Sequence, residues 1–249
     1  MPDADRAAFL GGRLRLFQPA DGHRAGTDAV LLGACAPSAG NAADVGAGVG
    51  AAGLVALVRS PALTMTSIEI DPAVAELCAR NIEENGLGGR ARAVCADALQ
   101  PRARRTGGLA DGGFDIVLTN PPFHAPGAVR ISPDPRKARA HVAAGGLEAW
   151  MKASTALLAP GGLFLMIHRA DALPAIFDAA QGRLGALRLL PVHARRGAPA
   201  IRILVSGRKG SRAPLALLPP LVLHETDGRF TPTADAIHRG EAGIELAPH

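Results

Sequence analysis

Between Asn41 and Gly207 the sequence changes period repeatedly. Short runs rich in Val, Ile and Leu alternate with longer stretches whose apolar residues recur every three or four positions. Residues 41–50 (NAADVGAGVG) read as a strand entering a glycine turn, and 51–60 as a helix. Residues 63–71 (LTMTSIEID) form a second candidate strand. The helix after it has Asp71 as N-cap, Pro72 in its first position and Gly86 as its stop. Third and fourth strands fall at 90–97 (RARAVCAD) and 114–120 (FDIVLTN). A helix follows at 145–162, ended by Pro160 and two glycines, then a fifth strand at 163–168 (LFLMIH). A helix over about 170–184 and two more strands, 187–194 and 200–207, complete the series. Strands alternating with helices predict an α/β fold, a mostly parallel sheet with helices on both faces.

The first 40 residues stand outside that rhythm and are expected to cap the sheet, with residues 41–249 forming one unit with a C-terminal extension. Within the cap, GGRLRLFQPADGHRAGTDAVLLGA reads as a hairpin turning at Asp21-Gly22, then a helix N-capped by Thr27 or Asp28. A chain of 249 residues with 48% hydrophobic and 20% charged residues can bury a sizeable core, which argues against disorder. The 30 glycines and 20 prolines are scattered and imply many tight turns. Cys35, Cys78 and Cys95 lack CxxC spacing, so no metal is expected and the thiols read as those of a reduced, cytoplasmic protein. The N-terminus has no secretory apolar core, and no run reaches the ~20 apolar residues of a membrane span.

The net charge of +5 is modest, but its distribution is uneven. Arg183, Arg188, Arg195, Arg196, Arg202, Arg208, Lys209 and Arg212 fall in one stretch without a single Asp or Glu. Arg130, Arg136, Lys137 and Arg139 form a second cluster. Two clusters, one beside a candidate active site, favour a polyanion such as nucleic acid over a merely solvated basic face.

Gly48, Gly50 and Gly53 match a dinucleotide-type G-x-G-x-x-G, which alone is weak. Asp44, ahead of Gly46, Gly48 and Gly50, changes its meaning. A carboxylate there sits badly with a pyrophosphate and suits a cofactor carrying an ammonium group, such as S-adenosylmethionine. Glu69, followed by Ile70, ends the second strand where it can accept from ribose hydroxyls. Asp97, followed by Ala98, ends the third where it can accept from an adenine amine. Any one of these acids could be a solvated or capping residue; three at successive strand ends support one another.

After the fourth strand comes Asn120-Pro121-Pro122-Phe123. The prolines fix φ and lack N–H groups, and Asn120, preceding a proline, is pushed to an extended conformation. The result is a stiff corner offering an amide, carbonyls and a ring at a strand's C-terminal end, where open α/β sheets bind ligands.

DVGAGVG, SIEID, CADA and TNPPF, in that order, resemble the Rossmann-like class I S-adenosylmethionine-dependent methyltransferases over about residues 42–206. The resemblance implies a seven-stranded sheet and that cofactor. The Asn-Pro-Pro-aromatic corner resembles that of enzymes methylating planar nitrogens, in adenine, cytosine or glutamine. QPADGHRAGTDAVLLGA and PPLVLHETDGRFTP are further similar to the bacterial family that N6-methylates an adenine in the anticodon region of valine tRNA.

By that resemblance the Asn120 side-chain oxygen and the Pro121 carbonyl accept the two N–H groups of the target amine, Pro122 stiffens the corner and Phe123 stacks on the base. Thr27 and Asp28, with His23 and Arg24 nearby, fall near the cofactor's methionine end. Arg130, Arg136, Lys137, Arg139, Arg195, Arg196, Arg208 and Lys209 hold RNA phosphates. His124 reads as a weak candidate for a base, and His141 as a surface or cap histidine and not a catalyst.

A glutamine methyltransferase remains the nearest chemical alternative; it usually carries a separate helical domain that 40 residues cannot supply. A DNA methyltransferase usually needs a sequence-reading domain. A nicotinamide oxidoreductase leaves Asn120 to Phe123 unexplained. A non-catalytic RNA-binding module on the same scaffold would be expected to lose Asn120 or the glycines.

Overall fold

The computed structural model describes residues 4–19, 24–122 and 146–247. It opens with an antiparallel hairpin of β1 (Ala4–Phe9) and β2 (Leu14–Pro19), reversed through a 3-10 turn at Leu10–Gly12. The expected turn at Asp21-Gly22 lies, with His23, outside the described residues, and this hairpin reverses at Leu10–Gly12. Gly11 and Gly12, at φ of +63° and +88°, supply the left-handed conformations that it needs. Helix α1 (Thr27–Ala34) starts from Gly26, so neither Thr27 nor Asp28 is its N-cap. Both side chains have distant partners instead.

The alternation then runs β3 (Ala39–Val45), α2 (Ala51–Arg59), β4 (Ala62–Glu69), α3 (Pro72–Glu84), β5 (Ala91–Cys95), α4 (Pro101–Thr106) and β6 (Phe114–Thr119). It resumes with α5 (Gly146–Leu157), β7 (Leu158–Arg169), a 3-10 turn, α6 (Leu173–Ala180), β8 (Leu184–Arg195) and β9 (Ala200–Lys209). Short strands β10 (Ala216–Leu217) and β11 (Leu221–His224) precede α7 (Pro232–His238). The Asp71 carboxylate accepts from the N–H groups of Ala73 at 2.9 Å and Val74 at 3.3 Å, so α3 is capped as its sequence predicts. Strand β7 begins directly after α5, ahead of Pro160. Its register slips between Phe114↔Leu158 and Ile116↔Leu163, which takes Pro160, Gly161 and Gly162 out of the ladder.

The main sheet has the order β10-β8-β9-β7-β6-β3-β4-β5, with β11 also on β8. Strands β3 to β7 pair in parallel, and β9 runs antiparallel to both β7 and β8. Among the described residues nine strands replace the expected seven, because two short segments of the proline-rich stretch after Arg212 add to β8. Neither is long enough to show a period.

Alternate residues feed two cores. Leu163, Leu165 and Ile167 of β7 pack with the hairpin, α1, α2, α3 and α7, while Phe164 and Met166 pack with α5 and α6. The strand order reverses at β3, between β4 and β6. The C-terminal ends of β3 and β6 therefore flank the crevice where such sheets bind ligands.

Candidate active site

Val45 pairs with Thr119, so the glycine turn and the Asn-Pro-Pro corner leave adjacent strands at the same level. Gly46 and Gly48 take φ of +70° and +56°. A Cβ on Gly48 would meet nothing within 4 Å, which leaves one side of the turn open for close approach of a ligand. The turn is anchored from behind, with the Gly46 and Ala47 N–H groups donating to the Ile68 carbonyl at 2.9 and 3.0 Å.

Asp44 is buried and its Oδ2 accepts from the Gly53 N–H at 3.1 Å. Burial pushes its carboxyl up to about 7; the Gly53 bond opposes this and the nearby Glu69 charge adds to it. A cation beside Asp44 would relieve that cost. Glu69 is already engaged: its Oε1 accepts from the N–H groups of Ile70 and Asp71 at 2.9 and 3.0 Å, and Oε2 from Gly48 at 2.9 Å. A carboxylate has about four acceptor positions, so one hydroxyl can be added without loss and a second requires release of one of these three bonds. Ile70 beside it is 47% exposed, an apolar surface at the rim of the crevice. Asp97 Oδ1 accepts from the Leu99 N–H at 2.9 Å.

The link between Ala98 and Gly113, which had no reading in the sequence, contains α4. Buried Arg104 donates from Nη1 to the Ala98 carbonyl at 2.9 Å and pairs through Nε with Asp111 at 3.1 Å. It fixes the turn that carries Asp97 and Ala98.

At the corner, the Asn120 Oδ1 is buried and accepts no hydrogen bond among the described residues. Such orphans are rare in folded proteins and point to a group that completes them. Pro121 is buried and Pro122 exposed. Phe123, His124, Arg130, Arg136, Lys137, Arg139 and His141 lie outside the described residues.

Thr27 and Asp28 reach toward β9 and α7. Asp28 pairs with Arg202 Nε at 2.9 and 3.1 Å. His238 Nδ1 donates to the Ala234 carbonyl at 2.7 Å, and its Nε2 lies 3.3 Å from the Thr27 hydroxyl, so the ring ties α7 to the start of α1.

The basic stretch divides between the two ends of the sheet. Arg202 pairs with Arg169 at the end of β7, and exposed Arg195, the last residue of β8, and Arg196, in the turn after it, lie at the same end as Asn120. Arg208 and Lys209 do not join them. They lie at the opposite end, where Arg208 Nη1 donates to the Gly161 carbonyl at 3.3 Å and Lys209 Nζ to that of Leu158 at 2.6 Å. An antiparallel strand carries its charges away from the crevice as it runs, which a linear count of arginines hides.

Two residues that the sequence reading passed over shape the site. Asn81 of α3 is fully buried; its Oδ1 accepts from the Phe17 N–H at 2.6 Å, and its Nδ2 lies 3.0 Å from the Phe17 carbonyl and 2.9 Å from that of Val49. With Asn85 doing the same for Arg15, α3 fastens the hairpin to the glycine turn. Asn is a weak helix former, so two spaced by four inside a helix were the available signal. Trp150 of α5 contacts both Thr119 and Gly46.

The methyltransferase small domain family matches residues 23–175, which contain this whole crevice up to β7. The chain belongs to that family. A tRNA1(Val) (adenine(37)-N6)-methyltransferase from Porphyromonas gingivalis is 30% identical over 236 residues, 90% of each chain. One of the same name from a Flavobacteriaceae bacterium is 37% identical over 102 residues; that match spans 41% of the relative's length and 40% of this chain. Among solved structures, a protein described as a predicted O-methyltransferase from Agrobacterium tumefaciens superposes with a TM-score of 0.74 at 32% identity, over 87% of this chain and 98% of that one.

For a small-domain methyltransferase the methyl donor is S-adenosylmethionine, and the residues present fit it. Asp44 is a buried acid whose charge a cation would stabilise, Gly48 leaves open space, and Glu69 and Asp97 retain acceptor capacity beside the exposed Ile70. No helix among the described residues is long and apolar enough to cross a membrane.

Proposed function

We propose that this methyltransferase modifies the exocyclic N6 of an adenine in tRNA, in the cytoplasm. The observation that carries the reading is the buried, unpartnered Asn120 Oδ1 at the end of β6, level with the glycine turn. The names of the relatives from Porphyromonas gingivalis and the Flavobacteriaceae bacterium support the same acceptor.

S-adenosylmethionine supplies a methyl group already activated as a sulfonium. In this reading Asp44, the open turn at Gly46, Gly48 and Gly50, Glu69 with Ile70, and Asp97 with Ala98 hold it. Thr27 and Asp28 border the same end of the sheet. The remaining task is to improve a poor nucleophile, because the lone pair of an amine conjugated to a ring is delocalised. Asn120 Oδ1 and the Pro121 carbonyl accept its two N–H groups, which favours a pyramidal nitrogen and stabilises the positive charge that develops there. An amide is too weak a base to remove a proton, so the proton leaves to water after transfer. Phe123, the motif's fourth residue, is assigned the stacking role, worth roughly 1–3 kcal/mol for a base on an aromatic ring. Arg195 and Arg196 at the same end of the sheet are assigned phosphates, together with Arg130, Arg136, Lys137 and Arg139.

A hydroxyl acceptor, as the Agrobacterium tumefaciens description would have it, needs a base to ionise it. Asn120 is not one.

The test is transfer of tritiated methyl from S-adenosylmethionine, by wild type and by Asn120→Ala, into RNA, DNA and protein from cells lacking the gene. Label in tRNA that digests to N6-methyladenosine and disappears with the variant is the expected result. Label confined to protein would replace this reading with the glutamine one.

A further inference from the structure

We propose that Trp150 is a positioning residue that holds the glycine turn and the Asn-Pro-Pro corner in one register. The Trp150 Nε1–H donates to Thr119 Oγ1 at 2.6 Å, and the single Thr119 hydroxyl proton is donated to the Val45 carbonyl at 2.9 Å. Thr119 is fully buried and immediately precedes Asn120; Val45 immediately precedes Gly46. The β3–β6 pairing ends at this pair, where the two functional loops diverge. From the other side, the indole stands over Gly46, where a Cβ would lie 2.7 Å from Cζ2 and 2.9 Å from Cη2. One side chain from α5 therefore touches the last residue before the acceptor corner and the first glycine of the donor turn.

The chemistry makes that contact consequential. In-line transfer depends on the separation and angle of donor and acceptor, and a displacement of about 1 Å can cost 10²-fold in rate. A hydroxyl that accepts from one loop's support and donates to the other strand fixes both with one rotor. The inference rests on reading these loops as donor and acceptor sites.

Trp150 is the only Trp and the chain has no Tyr, so its emission reports one residue. The experiment titrates S-adenosylmethionine into the full chain, following emission and, separately, heat of binding. Emission is followed in the wild type, Thr119→Ser and Thr119→Val, and heat of binding and kcat are measured for these and for Trp150→Phe and the Thr119→Val/Trp150→Phe double variant, which lack the fluorophore, with melting temperatures as the check on folding.

A saturable emission change on binding is expected in the wild type. Thr119→Val should shift the emission of the free protein and blunt its response. Thr119→Val and Trp150→Phe should each lower kcat on tRNA by about 10-fold with little change in KM for tRNA, the double variant being no worse than the worse single, and Thr119→Ser behaving as wild type. Emission indifferent to S-adenosylmethionine while calorimetry shows it bound, together with wild-type kcat in Thr119→Val, would overturn the proposal. A wild type that binds S-adenosylmethionine but labels no tRNA would refute the acceptor reading instead; the emission and calorimetry arms then decide the role of Trp150.

Discussion

The two ends of the sheet differ in how completely their buried polar groups are paired. At the end where β4, β5, β7 and β9 meet the loops away from the crevice, cations are spent on backbone carbonyls. Lys209 serves Leu158, Arg208 serves Gly161, and Arg90 donates to Ser60, Leu63 and Leu57. At the other end, Asn120 Oδ1 is buried without a partner among the described residues and Asp44 is held above the usual carboxylate range. The first arrangement offsets the cost of burying loop carbonyls, and the second leaves groups under-satisfied until a ligand arrives. Function sits where the polar bookkeeping is incomplete.

The contrast breaks most sharply at Asn120. Asn120→Ala should lower kcat on tRNA by on the order of 10²–10³, as removal of a transition-state hydrogen-bond partner does. Its melting temperature should hold or rise, because the variant deletes an unpaired buried oxygen. The reverse pattern belongs to Asn81, where all the polar atoms are used. Asn81→Ala strands the Phe17 and Val49 backbone groups and should cost about 3 kcal/mol in chemical denaturation.

Asp44 sharpens the comparison through pH. A carboxyl raised to about 7 in the folded chain holds its proton where the unfolded chain has lost it. Stability of the free protein therefore falls as pH rises from the ordinary carboxylate range through about 7, and levels above it. S-adenosylmethionine, carrying an ammonium, should bind more weakly as pH drops below about 7. Asp44→Asn should flatten both profiles in melting and calorimetric series.

The smallest effects separate the arginines. Arg195→Ala with Arg196→Ala should weaken tRNA binding and reduce the salt slope by about 1 per residue. Arg208→Ala with Lys209→Ala should leave that slope unchanged and lower the melting temperature instead.

The parallel core was legible because each strand carries its own turn chemistry. Asp71-Pro72 announces α3 and the glycines after Asp44 announce the crevice, both through local φ and capping demands. What stayed hidden is what depends on direction across the sheet. Arg202 and Arg208 are six residues apart and land at opposite ends of one strand, paired with Arg169 and Leu163 of β7. Asn81 and Trp150 escaped because their partners are far off in sequence; an ordinary helical residue and one that latches two loops have the same neighbours in the chain.

The margins of the sheet carry a different consequence. One ends in β5, five residues long with Arg92 in it, and the other in β10 and β11, two and four residues long, set among Pro214, Pro219 and Pro220. Neither rim presents a long, flat row of unpaired amides onto which a neighbouring molecule could zip. A nine-stranded sheet in a chain that is nearly half apolar is an invitation to fibrils, and here both borders are closed to that growth by brevity, charge and proline.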